Sequence, residues 1–162
     1  MKIEIYSREA MEKRLQEGPL ENTAVISFYD PPSSRTTEDY APMDYTDKCD
    51  VVFPVGEFDI DIEVLPEYGL TFDTYLPCAP NLAKFIKLAC ADNMDIICQC
   101  EYGQSRSAAC AAAIREYYYS DGISIFADYR YYPNQLIFNK VLDALQETDL
   151  KEESNEQEGW IS

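Results

Sequence analysis

Asp95-Ile96-Ile97-Cys98-Gln99-Cys100-Glu101-Tyr102-Gly103-Gln104-Ser105-Arg106-Ser107 decides the fold of this chain. An apolar run leads into a cysteine, a polar loop with a glycine at its middle follows, and then comes Ala108-Ala109-Cys110-Ala111-Ala112-Ala113-Ile114. The apolar run reads as a buried strand and the alanines as a helix covered on every side. A strand whose loop opens a helix is an anion site, because loop N–H groups converge there and the helix N-terminus adds partial positive charge. That field stabilises a thiolate, which makes Cys100 the candidate nucleophile. Arg106 offers a planar guanidinium that meets a phosphate or other oxyanion through two hydrogen bonds. Gly103 provides the close approach or positive φ that such a loop requires. The Ser107 hydroxyl is placed to hydrogen-bond the thiolate.

Composition narrows the chemistry. The chain has 162 residues and no histidine, which removes Ser-His-Asp and Cys-His catalysis, two-histidine zinc sites and histidine proton shuttles together. Cys100 must therefore be activated by helix dipole, backbone donors and arginine. Six cysteines are present, but Cys90, Cys98, Cys100 and Cys110 lack the paired spacing of a zinc site, so no metal and no cofactor is expected. Cys98 is either a packed strand thiol or a partner that traps an oxidised Cys100 as a disulfide. The formal charge of −17 argues against nucleic acid and anionic membranes as partners, since both call for basic patches. With no long apolar segment and no signal-peptide pattern, a cytoplasmic location is expected.

Outward from the central stretch, Lys2–Tyr6 alternates like a strand, and Ser7 is a candidate cap for a helix from Arg8 to Gln16. Ala24–Phe28 reads as a buried strand, broken by Pro31-Pro32. Residues 33–48 read as a long surface connection, Asp50–Val55 as a strand, and Gly56–Glu63 as a carboxylate-rich loop. The apolar spacing of Leu82, Phe85, Ile86 and Ala89 predicts a helix from Asp73 or Thr74 to about Asn93. Helices are predicted from Ser105 to Tyr119 and from Asn134 to Leu145. The tyrosine-rich segments 117–119 and 129–132 are candidates to rim a pocket. The expectation is a single α/β domain over residues 1–146 and an acidic tail over 147–162, partly disordered.

Cys100-Glu101-Tyr102-Gly103-Gln104-Ser105-Arg106-Ser107 resembles the phosphate loop of cysteine-based protein tyrosine phosphatases, His-Cys-x-x-Gly-x-x-Arg-Ser/Thr. The alanine-rich helix is similar to that of small bacterial, dual-specificity-like members, and the likeness extends weakly to Ala24–Pro32 and Tyr132-Pro133-Asn134. The resemblance implies a central, mostly parallel sheet flanked by helices, no metal, and a phosphocysteine intermediate. Carried over, Cys100 is the nucleophile and Arg106 the phosphate clamp. The backbone of Glu101, Tyr102, Gly103, Gln104, Ser105 and Arg106 binds the oxygens, and Ser107 assists breakdown of the intermediate. Gln99 stands where the family has histidine. The family also uses an aspartate on an upstream loop as general acid, because a tyrosyl or seryl oxygen leaves poorly unprotonated. Glu57, Asp59 and Asp61 are candidates, with Asp73 set aside as a helix start. Strand end at Val55 favours Asp59, with Asp61 next.

Phosphomonoester hydrolysis is thus the expected activity, on a phosphorylated protein or peptide or a small phosphomonoester. A rhodanese-like sulfurtransferase also presents a cysteine before a helix, and a non-catalytic phosphoresidue-binding module is a third class. Ser107 and the upstream carboxylates favour the phosphatase.

Overall fold

The computed structural model describes the backbone of residues 1–161 and the side chains of residues 1–149. Four strands, β1 (Ile3–Ser7), β2 (Thr23–Tyr29), β3 (Val52–Gly56) and β4 (Asp95–Cys100), form one sheet in the order β1-β4-β2-β3. Every pairing is parallel, with Ser7 opposite Cys100 and Ser27 opposite Gln99. The architecture is α/β, a central parallel sheet flanked by helices. β4 is an inner strand, and five of its six residues are buried, which is why it reads as a nearly continuous apolar run.

The period of two along the strands divides the core. Ile96, Cys98 and Cys100 of β4, with Ala24, Ile26 and Phe28 of β2, face the larger core under α2 (Ala79–Ala91), α3 (Arg106–Tyr119) and α5 (Gln135–Ile161). Ile97 and Val25 face the smaller cluster with Met11 and Leu15 of α1 (Arg8–Gln16) and with Tyr45. Arg106 to Ile114 are all buried, so the first nine residues of α3 are covered on every face, and the helix reaches the surface from Arg115 on. Its small side chains let the sheet and α5 approach closely.

α2 begins at Ala79, not at Asp73 or Thr74. Pro77 disfavours helical geometry at Leu76, which has φ +52°, and Thr71 to Thr74 close a turn on their own hydroxyls. Pro80 then fits the first turn. Part of the expected carboxylate loop is a 3-10 helix, Ile62–Tyr68, ended by Gly69 in the left-handed region. A short α4 (Ile123–Phe126) follows α3. The acidic segment expected as a tail continues α5 to Ile161; its side chains from residue 150 on, and Ser162, lie outside the described residues. Among the described residues no helix is long and apolar enough to cross a membrane.

Candidate active site

The loop after β4 is held from outside through its carbonyls. The Arg8 N–H donates to Glu101 O at 3.1 Å, Tyr132 N–H to Gln104 O at 2.8 Å, and Asn134 N–H to Ser105 O at 3.2 Å. By contrast, the amide N–H groups of residues 101–106 donate to no acceptor among the described residues. Six backbone donors on one short loop are therefore open to an exogenous anion, since such groups are otherwise paired. Gly103 makes the loop possible. Its φ is +66°, and a Cβ there would stand 2.7 Å from Ser7 N and 3.0 Å from Ser7 Cα. Ser7 cannot give way, because it ends β1 and caps α1, with its hydroxyl accepting from Ala10 N–H at 3.1 Å.

Cys100 ends β4 and is 3% exposed, with its Sγ 3.1 Å from Ser107 Oγ in the first turn of α3. Arg106, also buried, donates from Nη1 to Asp30 Oδ1 at 2.8 Å and to Glu57 O at 3.0 Å. Its Nε and Nη2 donate to none of the described residues. The guanidinium is thus fixed on one side and open on the other. A cleft of about 390 Å³ lies over it, walled by Arg35, Tyr40, Phe58, Asp59, Tyr68 and Tyr102 among others.

The four upstream carboxylates go to four different places. Glu57 is buried and accepts from Phe58 N–H at 3.0 Å and Leu76 N–H at 2.8 Å, so it orders backbone. Asp59 lines the cleft, and its Oδ1 accepts from Ser105 Oγ at 2.6 Å and Asn134 Nδ2 at 2.9 Å. Asp61 turns to a separate groove, beside Glu63 and Phe72. Asp73 lies in the Thr71–Thr74 turn, exposed.

Three residues of this arrangement have no role in the sequence reading. Asp30, just past β2, pairs with Arg106 across 76 positions. Asn134 caps α5 by accepting from Ile137 N–H at 2.9 Å, and its amide donates to Asp59 Oδ1 and, at 3.2 Å, to Ile60 O. The Pro-Asn pair before an apolar run signals the cap, not the reach to Asp59. Tyr40 is the third: burial pushes its hydroxyl up to about 12, and the oxygen accepts from Asp30 N–H at 3.0 Å. Gln99 points to the opposite face from Cys100, where its Oε1 accepts from Ser27 Oγ at 2.5 Å and Tyr45 Oη at 2.8 Å.

Two other cysteines, Cys98 and Cys78, are held as thiols. A hydrogen bond with Cys110 and complete burial push Cys98 well up, and burial pushes Cys78 up to about 11. Among the described residues no group of three His, Cys, Asp or Glu side chains is placed to hold a metal ion.

No protein-family model and no curated protein sequence matches the chain. Among solved structures, a crystal structure of human DUSP28 is similar to it, with a TM-score of 0.49 and 13% identical residues, covering 92% of this chain and 94% of that one.

Proposed function

We propose that the chain hydrolyses phosphomonoesters of a phosphorylated protein or peptide, or of a small molecule, through a phosphocysteine intermediate. The observation that carries this reading is the loop 101–106, whose N–H groups donate to none of the described residues and which joins a buried cysteine to a guanidinium fixed on one side only. Three phosphoryl oxygens are met by backbone donors and the free edge of Arg106, which stabilises charge without reorganisation during the reaction. The Cys100 thiolate attacks phosphorus, the bond from phosphorus to the leaving oxygen breaks, and Asp59 delivers its proton to that oxygen. Water then attacks phosphorus, Asp59 takes a proton from it, and the S–P bond breaks to release inorganic phosphate and the thiolate. Ser107, 3.1 Å from Sγ, donates to the departing thiolate. Asp59 is preferred over Asp61 because it shares the cleft with Arg106.

Phosphoresidue binding without turnover is the second reading, and Gln99 favours it. A neutral amide whose oxygen is occupied by Ser27 and Tyr45 adds no positive charge behind Cys100. Turnover of para-nitrophenyl phosphate between pH 4 and 8 decides between the two. Hydrolysis that is lost in a folded Cys100→Ser variant is the expected result. Binding of phosphopeptide with no turnover at any pH assigns the second reading. Asp59→Asn is expected to slow esters with poor leaving groups about a hundredfold, within the usual range for a general acid. An unchanged rate moves that role to Asp61.

A further inference from the structure

Beside the cleft lies a groove of about 640 Å³. The two share a wall. Asp59 faces the cleft and Asp61 the groove, while Asn134 ties Asp59 and Ile60 to the start of α5. The groove has an apolar floor of Phe72, Phe126 and Leu136, with Phe126 fixed edge-on to Phe138 at 4.9 Å between ring centres. Its rim is acidic. Asp61 and Glu63 are exposed, and neither carboxylate makes an ion pair or side-chain hydrogen bond among the described residues. Ile62 between them is 61% exposed. The neighbouring cation, Lys140, is engaged: its ammonium donates to Phe72 O at 2.8 Å and lies 4.8 Å from the Phe72 ring centre.

An apolar floor under an unpaired acidic rim fits a long basic side chain, which lays its methylenes on the floor and its charge on the rim. The chain's own field adds a second reason. At −17, the protein repels a bare phosphate ester, and positive charge carried alongside the phosphate offsets that repulsion during approach. Asp59 and Asp61 are two residues apart, so an extended peptide leaving the cleft reaches the groove within about two to four residues, at roughly 3.3 Å each.

We infer that this groove is a substrate subsite for the flanking segment of a phosphopeptide, taking an arginine or lysine next to an apolar residue. The inference rests on the phosphatase reading for its substrate, and on the groove alone for its preference.

The test uses the full chain and pairs of short phosphotyrosyl peptides that differ only in Arg-Leu or Glu-Leu, placed three residues before or after the phosphoresidue. Affinity is read by fluorescence anisotropy on peptides with a non-hydrolysable phosphonate, and kcat/KM on the hydrolysable ones. The expected result is about tenfold tighter binding of the Arg-Leu peptide on one side, shrinking as salt rises. Glu63→Lys should remove most of that preference and leave para-nitrophenyl phosphate turnover unchanged, since a small ester does not reach the groove. Ile62→Ser should weaken the Arg-Leu peptide a few-fold. Equal affinity for Arg-Leu and Glu-Leu peptides, or a preference that survives Glu63→Lys, overturns the subsite. A dimer in solution that Ile62→Ser dissociates gives the groove to a second copy and also overturns it. If turnover is absent throughout, the phosphatase reading fails alone, because the binding arm still reads the preference.

Discussion

The two walls of the cleft are built differently. The loop 101–107 is fixed by backbone: three of its carbonyls are tied to Arg8, Tyr132 and Asn134, and Gly103 rests on the Ser7 backbone. The opposite wall is side chains. The Arg35 guanidinium stacks 4.1 Å from the Tyr68 ring centre and donates to Glu67 O at 3.2 Å, and Arg35 itself is exposed. A stack of that kind contributes about 0.5–1 kcal/mol at an exposed site. The first wall suits chemistry, where displacement by an ångström costs about a hundredfold in rate. The second can be rebuilt by a single rotamer change, which suits discrimination between substrates.

Breaking the backbone wall should have the largest effect. Gly103→Ala adds a Cβ 2.7 Å from Ser7 N at a residue with φ +66°, so the loop must shift away from β1. We expect a loss of about 1–3 kcal/mol of stability in chemical denaturation and about a hundredfold in kcat. Wild-type kcat in Gly103→Ala would mean that the loop's position is not what carries turnover.

Asn134 joins the two walls, and its substitutions test that link. Asn134→Ala removes the cap on Ile137 N–H and a donor to Asp59, so about 1 kcal/mol of stability is lost. Asn134→Asp keeps the capping oxygen but sets a second carboxylate against Asp59. That repulsion, with Ile60 O left without its donor, offsets the regained cap. Stability should then stay near that of Asn134→Ala, and kcat for esters with poor leaving groups down about tenfold. Recovery of both together would reduce Asn134 to a helix cap.

What could be read in advance follows the range of the interactions. β4, the loop and α3 occupy neighbouring positions, and an apolar run, a glycine and a block of alanines describe them to within a residue at either end. The start of α2 is hidden because helical spacing of Leu82, Phe85 and Ile86 extrapolates backwards past Pro77, and local backbone at Leu76 wins over it. The upstream carboxylates are hardest. Glu57, Asp59 and Asp61 share one alternating stretch, yet Leu76 N–H claims the first, Asn134 the second, and an open groove the third. Their partners lie 19 and 75 positions away. The same holds for Asp30 on Arg106, a pairing that exists only because the ends of β2 and α3 meet above the sheet.

The smallest effect belongs to neither wall but to the far face of the sheet, under α1. Tyr45, from the long connection after β2, is buried and donates to Gln99 Oε1 at 2.8 Å, behind the strand that carries Cys100. Ser27 donates to the same oxygen, so Tyr45→Phe leaves Gln99 with a partner and should cost about 0.5–1.5 kcal/mol at pH 7, with kcat within twofold of wild type. Burial raises the Tyr45 hydroxyl above its ordinary value near 10. The fold therefore favours the neutral phenol, and the stability it contributes is complete below about pH 10 and is lost as pH rises beyond it. Tyr45→Phe has no proton to lose at this position, so its deficit relative to wild type should narrow between pH 7 and pH 10.5 in urea titrations. A constant deficit would mean that Tyr45 ionises as readily in the fold as in the unfolded chain, which its burial argues against.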